Sequence, residues 1–211
     1  MPRKEFDLSG FTGIEARNAM QVDISHGDSF SVAVEADTEI IDEVQVETFG
    51  DVLKAKFKTR FGHIGLLFKQ VASPRLIITM PELESIKLTA ATRGTVTGFT
   101  GLDRVKVDLS SASKLSGAID CRSLRLEGGA ASFFELSGKT ETLETELTAT
   151  SHASLEKMTV GDAKVKLGGA STLTLDITGR LDAEVTGASS LRWTGSPTMG
   201  DIKVTGASSL S

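Results

Sequence analysis

VTGASSLRWTGSPTMGDIKVTGASSL, residues 185–210, contains the heptad VTGASSL twice, 19 residues apart. A third, looser copy, LGGASTL, stands at 167–173. A repeat this short cannot hold a pair of packed helices, and no 3.6-residue apolar period accompanies it. Glycine admits a positive φ, and Ala and Ser are small enough to stack upon themselves at a tight bend. The reading is a coil in which each turn needs the same corner.

Working upstream, the residue before each corner falls on Leu88, Leu109, Leu126, Leu147, Leu167, Val185 and Val204. Two residues earlier stand Ile86, Val107, Leu124, Thr145, Val165, Ala183 and Ile202. Between the two columns lie Lys87, Asp108, Arg125, Glu146, Lys166, Glu184 and Lys203, whose sign alternates. Apolar-in, charged-out alternation is the period of a β-strand, and stacked copies would pair these charges across neighbouring turns. A second corner reads apolar, Ser or Thr, Gly: Val96-Thr97-Gly98, Leu115-Ser116-Gly117, Leu136-Ser137-Gly138, Ile177-Thr178-Gly179 and Trp193-Thr194-Gly195. The predicted fold is all-β: a single-stranded, right-handed parallel β-helix of about 19 residues per repeat.

Residues 1–81 are strand-rich but irregular. AMQVDIS (19–25) and SFSVAVEA (29–36) flank HGD and predict a hairpin, as do DEVQVETF (42–49) and DVLKAKFK (51–58) about Gly50. DTEIIDEV (37–44) has room for one helical turn, and RLIITM (75–80) reads as a buried strand ended by Pro81. This part is expected to cap the first turn of the coil and block its edge. With no linker between cap (1–81) and repeats (82–211), the chain is predicted to be one domain, 1–211.

The opening FTGIEARNAMQVDISHGDSFSVAVEAD, the middle PRLIITMPELESIKLTAAT and the later LGGASTL and VTGASSL segments resemble a bacterial family of auto-transporter adhesins, the head GIN domain. The resemblance implies a β-helix on an extracytoplasmic, often lipid-anchored, protein. It carries over no catalytic residue, because its motifs consist of turn and core positions. The N-terminus, MPRKEFDLSG, does not read as a signal peptide.

Other features narrow the function. Net charge is −5, so there is no basic footprint for nucleic acid. Cys121 is the sole cysteine and reads as an inert thiol; His26, His63 and His152 lie in separate segments without metal spacing. No G-x-S-x-G elbow or phosphate loop occurs, and Ser189 and Ser208 are explained as turn residues. Asp182, Glu184 and Asp201 form the nearest thing to an acidic cluster and are read as solvated or as part of the charge ladder. Trp193 is read as core. Threonine pairs do not recur at one repeat position, which argues against an ice-binding face. No catalytic, cofactor or metal residue is assigned.

RFGHIGLLFKQVASP (60–74) is too apolar for a free connection. Burial in the cap is the simpler reading. The sharper one is a contact surface made of Phe61, His63, Ile64, Leu66, Leu67 and Phe68, for a partner or a membrane surface. The last repeat stops after its first corner. A homo-oligomer through that C-terminal rung or through the 60–74 loop is therefore expected. Three functions stand in order: a non-enzymatic cell-surface scaffold for adhesion to a glycan or protein ligand, a self-assembling bactofilin-like structural protein, and a carbohydrate-active β-helix enzyme.

Overall fold

The structure, a computed structural model, describes residues 1–58 and 72–211. β2 (Gly13–Arg17), a corner at Asn18–Ala19 and β3 (Gln21–His26) make one coil of a solenoid. β8 (Ser85–Thr89) lies parallel on β2, and the start of β9 (Arg93–Leu109) lies parallel on β3. β9, β10 (Lys114–Gly128), β11 (Phe133–Leu147) and β12 (His152–Leu167) each run through a bend, so each strand serves two sides of the coil. The last turns use separate strands: β13 (Thr172–Ile177), β14 (Arg180–Val185), β15 (Ser190–Gly195), β16 (Thr198–Val204) and β17 (Ser209–Leu210). Side A comprises β3, the starts of β9–β12, β13, β15 and β17. Side B comprises β2, β8, the ends of β9–β12, β14 and β16. All neighbouring copies pair in parallel, and the inward residues of both sides merge into one core. The parallel solenoid is as the repeat predicted.

The strand register corrects one repeat position. The column before the corner is Ala16, Leu88, Leu109, Gly128, Leu147, Leu167, Val185 and Val204. Gly128, not Leu126, occupies the fourth place, because Leu126 pairs with Val107. Spacings along the chain from Leu88 onward become 21, 19, 19, 20, 18 and 19 residues. The charged column then reads Lys87, Asp108, Glu127, Glu146, Lys166, Glu184 and Lys203, with three acids in succession. Arg125 stands in the next column, donating to Glu127 at 2.7 Å and to Glu144 at 2.8 Å, and Lys106 reaches Glu127 at 3.0 Å. Burial raises the Glu127 pKa, but these hydrogen bonds outweigh it and hold the carboxyl below its ordinary value.

Gly128 is explained across its corner. The residues before and after successive corners are Leu88/Gly94, Leu109/Leu115, Gly128/Phe134 and Leu147/Ala153, so large faces small wherever the leucine pair is broken. A Cβ on Gly128 would stand 2.7 Å from both the Phe134 ring and Leu147 Cδ2, and one on Gly94 would stand 2.7 Å from Leu88 Cδ1 and 2.9 Å from Leu115 Cδ1. Interiors are packed closely enough that such a pair must be chosen jointly.

The corners come in two forms. At Ala90–Ala91, Ser111–Ala112, Ala130–Ala131 and Ala149–Thr150 both residues have positive φ. At the first three the second N–H donates forward along the coil, as from Ala112 to the Ala130 carbonyl at 2.9 Å. At Gly169, Gly187 and Gly206 only the glycine has positive φ, and after the last two the next N–H donates backward, from Ala188 to the Gly169 carbonyl and from Ala207 to the Gly187 carbonyl, each at 2.7 Å. The peptide has turned over. A Cβ at Gly187 would lie 2.4 Å from the Gly169 carbonyl oxygen, which is why these corners are spelled GAS. The following Ser or Thr is buried in both forms except at the last corner, where Ser208 is half-buried. In Thr92, Ser132, Ser151 and Ser171 its hydroxyl donates to the carbonyl three residues earlier, at 2.6–2.9 Å.

The second corner is less regular than its triplets suggest. Gly117 lies opposite Val96 and Leu136, and Ile119 opposite Gly138, with bulges between Gly117 and Ile119 and between Glu135 and Ser137. The triplets therefore do not share one column. Carboxylates fill amide positions left by the bends: Asp120, Asp162 and Asp182 accept the N–H groups of Lys139, Arg180 and Asp201 at 3.0, 2.7 and 2.6 Å.

The N-terminal region is more solenoid than expected. β6 (Val52–Phe57) and β7 (Arg75–Met80) lie parallel on the outer edges of β2 and β3, forming a further coil outside them. β5 (Val44–Phe49) closes a hairpin with β6 about Gly50, and the helical turn is a 3-10 turn at Ile41–Glu43, both as predicted. The predicted 19–36 hairpin does not form. β4 (Ser31–Glu35) runs antiparallel to β7, which separates it from β3, and β1 (Arg3–Phe6) runs antiparallel to β4. The reason is burial: Val32, Ala33 and Val34 are all buried, whereas an exposed two-stranded ribbon would leave one face in water.

Candidate binding surface

The two sides of the coil present different chemistry. Side B carries the charge ladder. At Asp182 the carboxylate accepts both Arg180 nitrogens, at 2.8–3.1 Å, and the Asp201 N–H at 2.6 Å, and these bonds hold its pKa down at about 2. Glu184 is bound by Lys203 at 3.0 Å, which lowers its pKa as well. The acidic cluster read from sequence is thus tied into cross-turn bonds. A carboxylate with a depressed pKa is a poor general acid near neutrality.

Side A mixes hydroxyl-bearing and charged residues. Its first outward column runs Gln21, Arg93, Lys114, Phe133, His152, Thr172, Ser190 and Ser209. Its second runs Asp23, Thr95, Ser116, Glu135, Ser154, Thr174 and Arg192. Phe133 is 47% exposed and is the sole apolar member of either column. Its ring lies 5.9 Å from that of His152, inclined 32°. Lys114 crosses to Glu135 at 2.7 Å, which lowers the Glu135 pKa. Beside this group lies an open groove of about 530 Å³, lined by Ser116, Glu135, Ser137, Ser154, Glu156 and Lys157 among others.

Phe133 was not singled out from the sequence. Its signal is the doubled aromatic of SFFELSG: on a strand one of two adjacent phenylalanines must point outward. Only the corrected register tells which, since Phe134 fills the space over Gly128.

The other candidates separate. Phe61, His63, Ile64, Leu66, Leu67 and Phe68 lie outside the described residues. Of the described residues that flank them, Phe57 accepts a hydrogen bond from Asn18 Nδ2 and Pro74 accepts one from the Gln21 N–H, each at its carbonyl and each at 2.9 Å. His26 packs edge-on against Phe99 at 5.6 Å, four coils from His152 along side A. Among the described residues no three His, Cys, Asp or Glu gather as a metal site. Cys121 is buried, which pushes its thiol pKa up, and its Sγ lies 3.7 Å from Thr140 Oγ1. Trp193 is partly buried against the core, opposite Leu175.

The family model "Putative auto-transporter adhesin, head GIN domain" matches residues 10–197. Among solved structures, a putative adhesin from Bacteroides fragilis NCTC 9343 is similar with a TM-score of 0.86 at 15% identity, covering 99% of this chain and 95% of that one. A putative lipid binding protein from Parabacteroides distasonis ATCC 8503 gives 0.73 at 14%, covering 99% and 95%. A putative adhesin from Parabacteroides merdae ATCC 43184 gives 0.71 at 14%, covering 99% and 94%. At these identities the likeness is one of fold. No curated protein matches.

Proposed function

The chain belongs to the family of putative auto-transporter adhesins with the head GIN domain, and from that premise we propose that it is a non-enzymatic adhesion scaffold working outside the cytoplasm at the cell surface. The coil holds side A in fixed register while the ionic chemistry of side B is spent on holding the coil together. The observation that carries this reading lies on side A, which leaves the Phe133 ring and a groove lined by Ser116, Ser137 and Ser154 open, while on side B Glu127, Asp182 and Glu184 are bound by neighbouring cations. A stacked parallel coil suits the task because each turn is fixed by its neighbours, so a surface spread over several turns needs no ordering when it binds.

The test is adherence of beads bearing the folded chain to bacterial and host cells, against beads bearing albumin. Adherence above the albumin level is the expected result. Beads that adhere no better than albumin, with the chain folded by circular dichroism, would overturn the reading. Molar mass followed over a hundredfold range of concentration separates it from self-assembly: a fixed mass fits a scaffold, and mass that keeps growing fits a polymer.

A further inference from the structure

Resting on that reading, we infer that the ligand is a neutral carbohydrate, held on side A by the Phe133 ring and the groove beside it. Three observations converge on this class. First, Phe133 stands exposed in the middle of a strand ladder, with Lys114 and His152 as its cross-strand neighbours, and among the described residues of β9–β13, β15 and β17 it is the one exposed large apolar side chain. An isolated ring with polar groups around it suits the C–H face of a sugar ring, which needs one apolar platform and many hydrogen-bond partners. Second, those partners are of both kinds and within the same strands. Ser116 and Ser154 offer hydroxyls, Glu135 and Glu156 accept, and Lys114 and Lys157 donate. Third, the groove is open and has no enclosed apolar interior, which fits a ligand lying on a surface.

Other classes fit less well. A protein partner would need an apolar interface core depleted of charge, and here a single ring is surrounded by charged groups. A nucleic acid would meet the carboxylates of Glu135 and Glu156 on a chain of net charge −5. A lipid tail would find no continuous apolar wall. Within the sheet itself, the Phe133–His152 contact is an ordinary cross-strand pair that adds a little stability. That contribution does not require Phe133 to be aromatic at an exposed site.

The test uses the full chain on an array of neutral plant, fungal and bacterial-type oligosaccharides, with hits titrated by calorimetry. Phe133→Ala and Glu135→Gln are compared with Phe49→Ala, which removes a 74% exposed phenylalanine on the cap. Thermal unfolding checks each variant, and all three positions are exposed, so each variant is expected to fold. The expected result is at least one neutral glycan bound by the native chain, with affinity reduced tenfold or more by Phe133→Ala and by Glu135→Gln and unchanged by Phe49→Ala. A glycan bound equally by Phe133→Ala would overturn the site. An array without a neutral-glycan hit would overturn the ligand class. If the beads still adhere to cells in either case, the scaffold reading survives and this inference alone fails.

Discussion

At the scale of the residue, Gly128 and Phe134 test the packing most sharply. Phe134→Ala should destabilise by about 3–5 kcal/mol, as large-to-small changes in a core do. Gly128→Leu places side-chain atoms where the Phe134 ring and Leu147 Cδ2 already stand and should destabilise by about 1–3 kcal/mol or more, of which Phe134→Ala relieves the part due to the ring. Together they exchange the sizes, giving the Leu/Ala arrangement that Leu147 and Ala153 already show at the next corner. The double variant should therefore be more stable than the sum of the single effects by about 0.5–3 kcal/mol. Urea unfolding of the four proteins measures this, and additivity within about 0.5 kcal/mol would contradict the pairing.

The same pair shows what was legible in the sequence. The corner motif and the two-residue alternation gave the coil directly, because glycine at a positive φ and buried small residues have few other uses at that spacing. The register failed at one turn because a glycine stood where the column calls for leucine. Counting Leu126 in its place also put Arg125 into the charged column, producing a perfect alternation of sign that the molecule does not have. Size compensation across a corner is a three-dimensional relation, and a one-dimensional apolar pattern does not record it. Phe133 was hidden for the same reason.

At the scale of the element, the ladders are electrostatic as well as apolar. Glu127, Glu135, Asp182 and Glu184 all have pKa values below their ordinary ones in the folded chain. A group depressed on folding contributes stability above its unfolded pKa, about 3.9 for Asp and 4.3 for Glu, and loses it as pH falls through the folded value. The window for Asp182 therefore runs from about pH 4 down to about pH 2. Tm measured from pH 5 to pH 2 should fall through that window. Asp182→Asn, which cannot titrate, should begin from a lower Tm at pH 5 and fall less steeply. Parallel curves for the two proteins would remove Asp182 from the account. The N-terminal elements carry a different lesson. The 19–36 segments alternate as a hairpin should, yet β7, distant in sequence, inserts between them. A longer-range strand that buries both neighbours outcompetes a local turn, and neither segment's own pattern announces it.

At the scale of the whole molecule, the proposed function divides the work of the coil between its sides. Side B interlocks successive turns through charge, and side A presents one ring and a hydroxylated groove. The measurement that tests the division most directly is adherence of beads bearing the native chain, a side A variant or a side B variant to the same cells. Phe133→Ala represents side A and Lys166→Ser represents side B, both checked for folding. The account predicts that Phe133→Ala abolishes adherence and that Lys166→Ser retains it. Adherence kept by Phe133→Ala and lost by Lys166→Ser would place the working surface on the charged side and contradict the account.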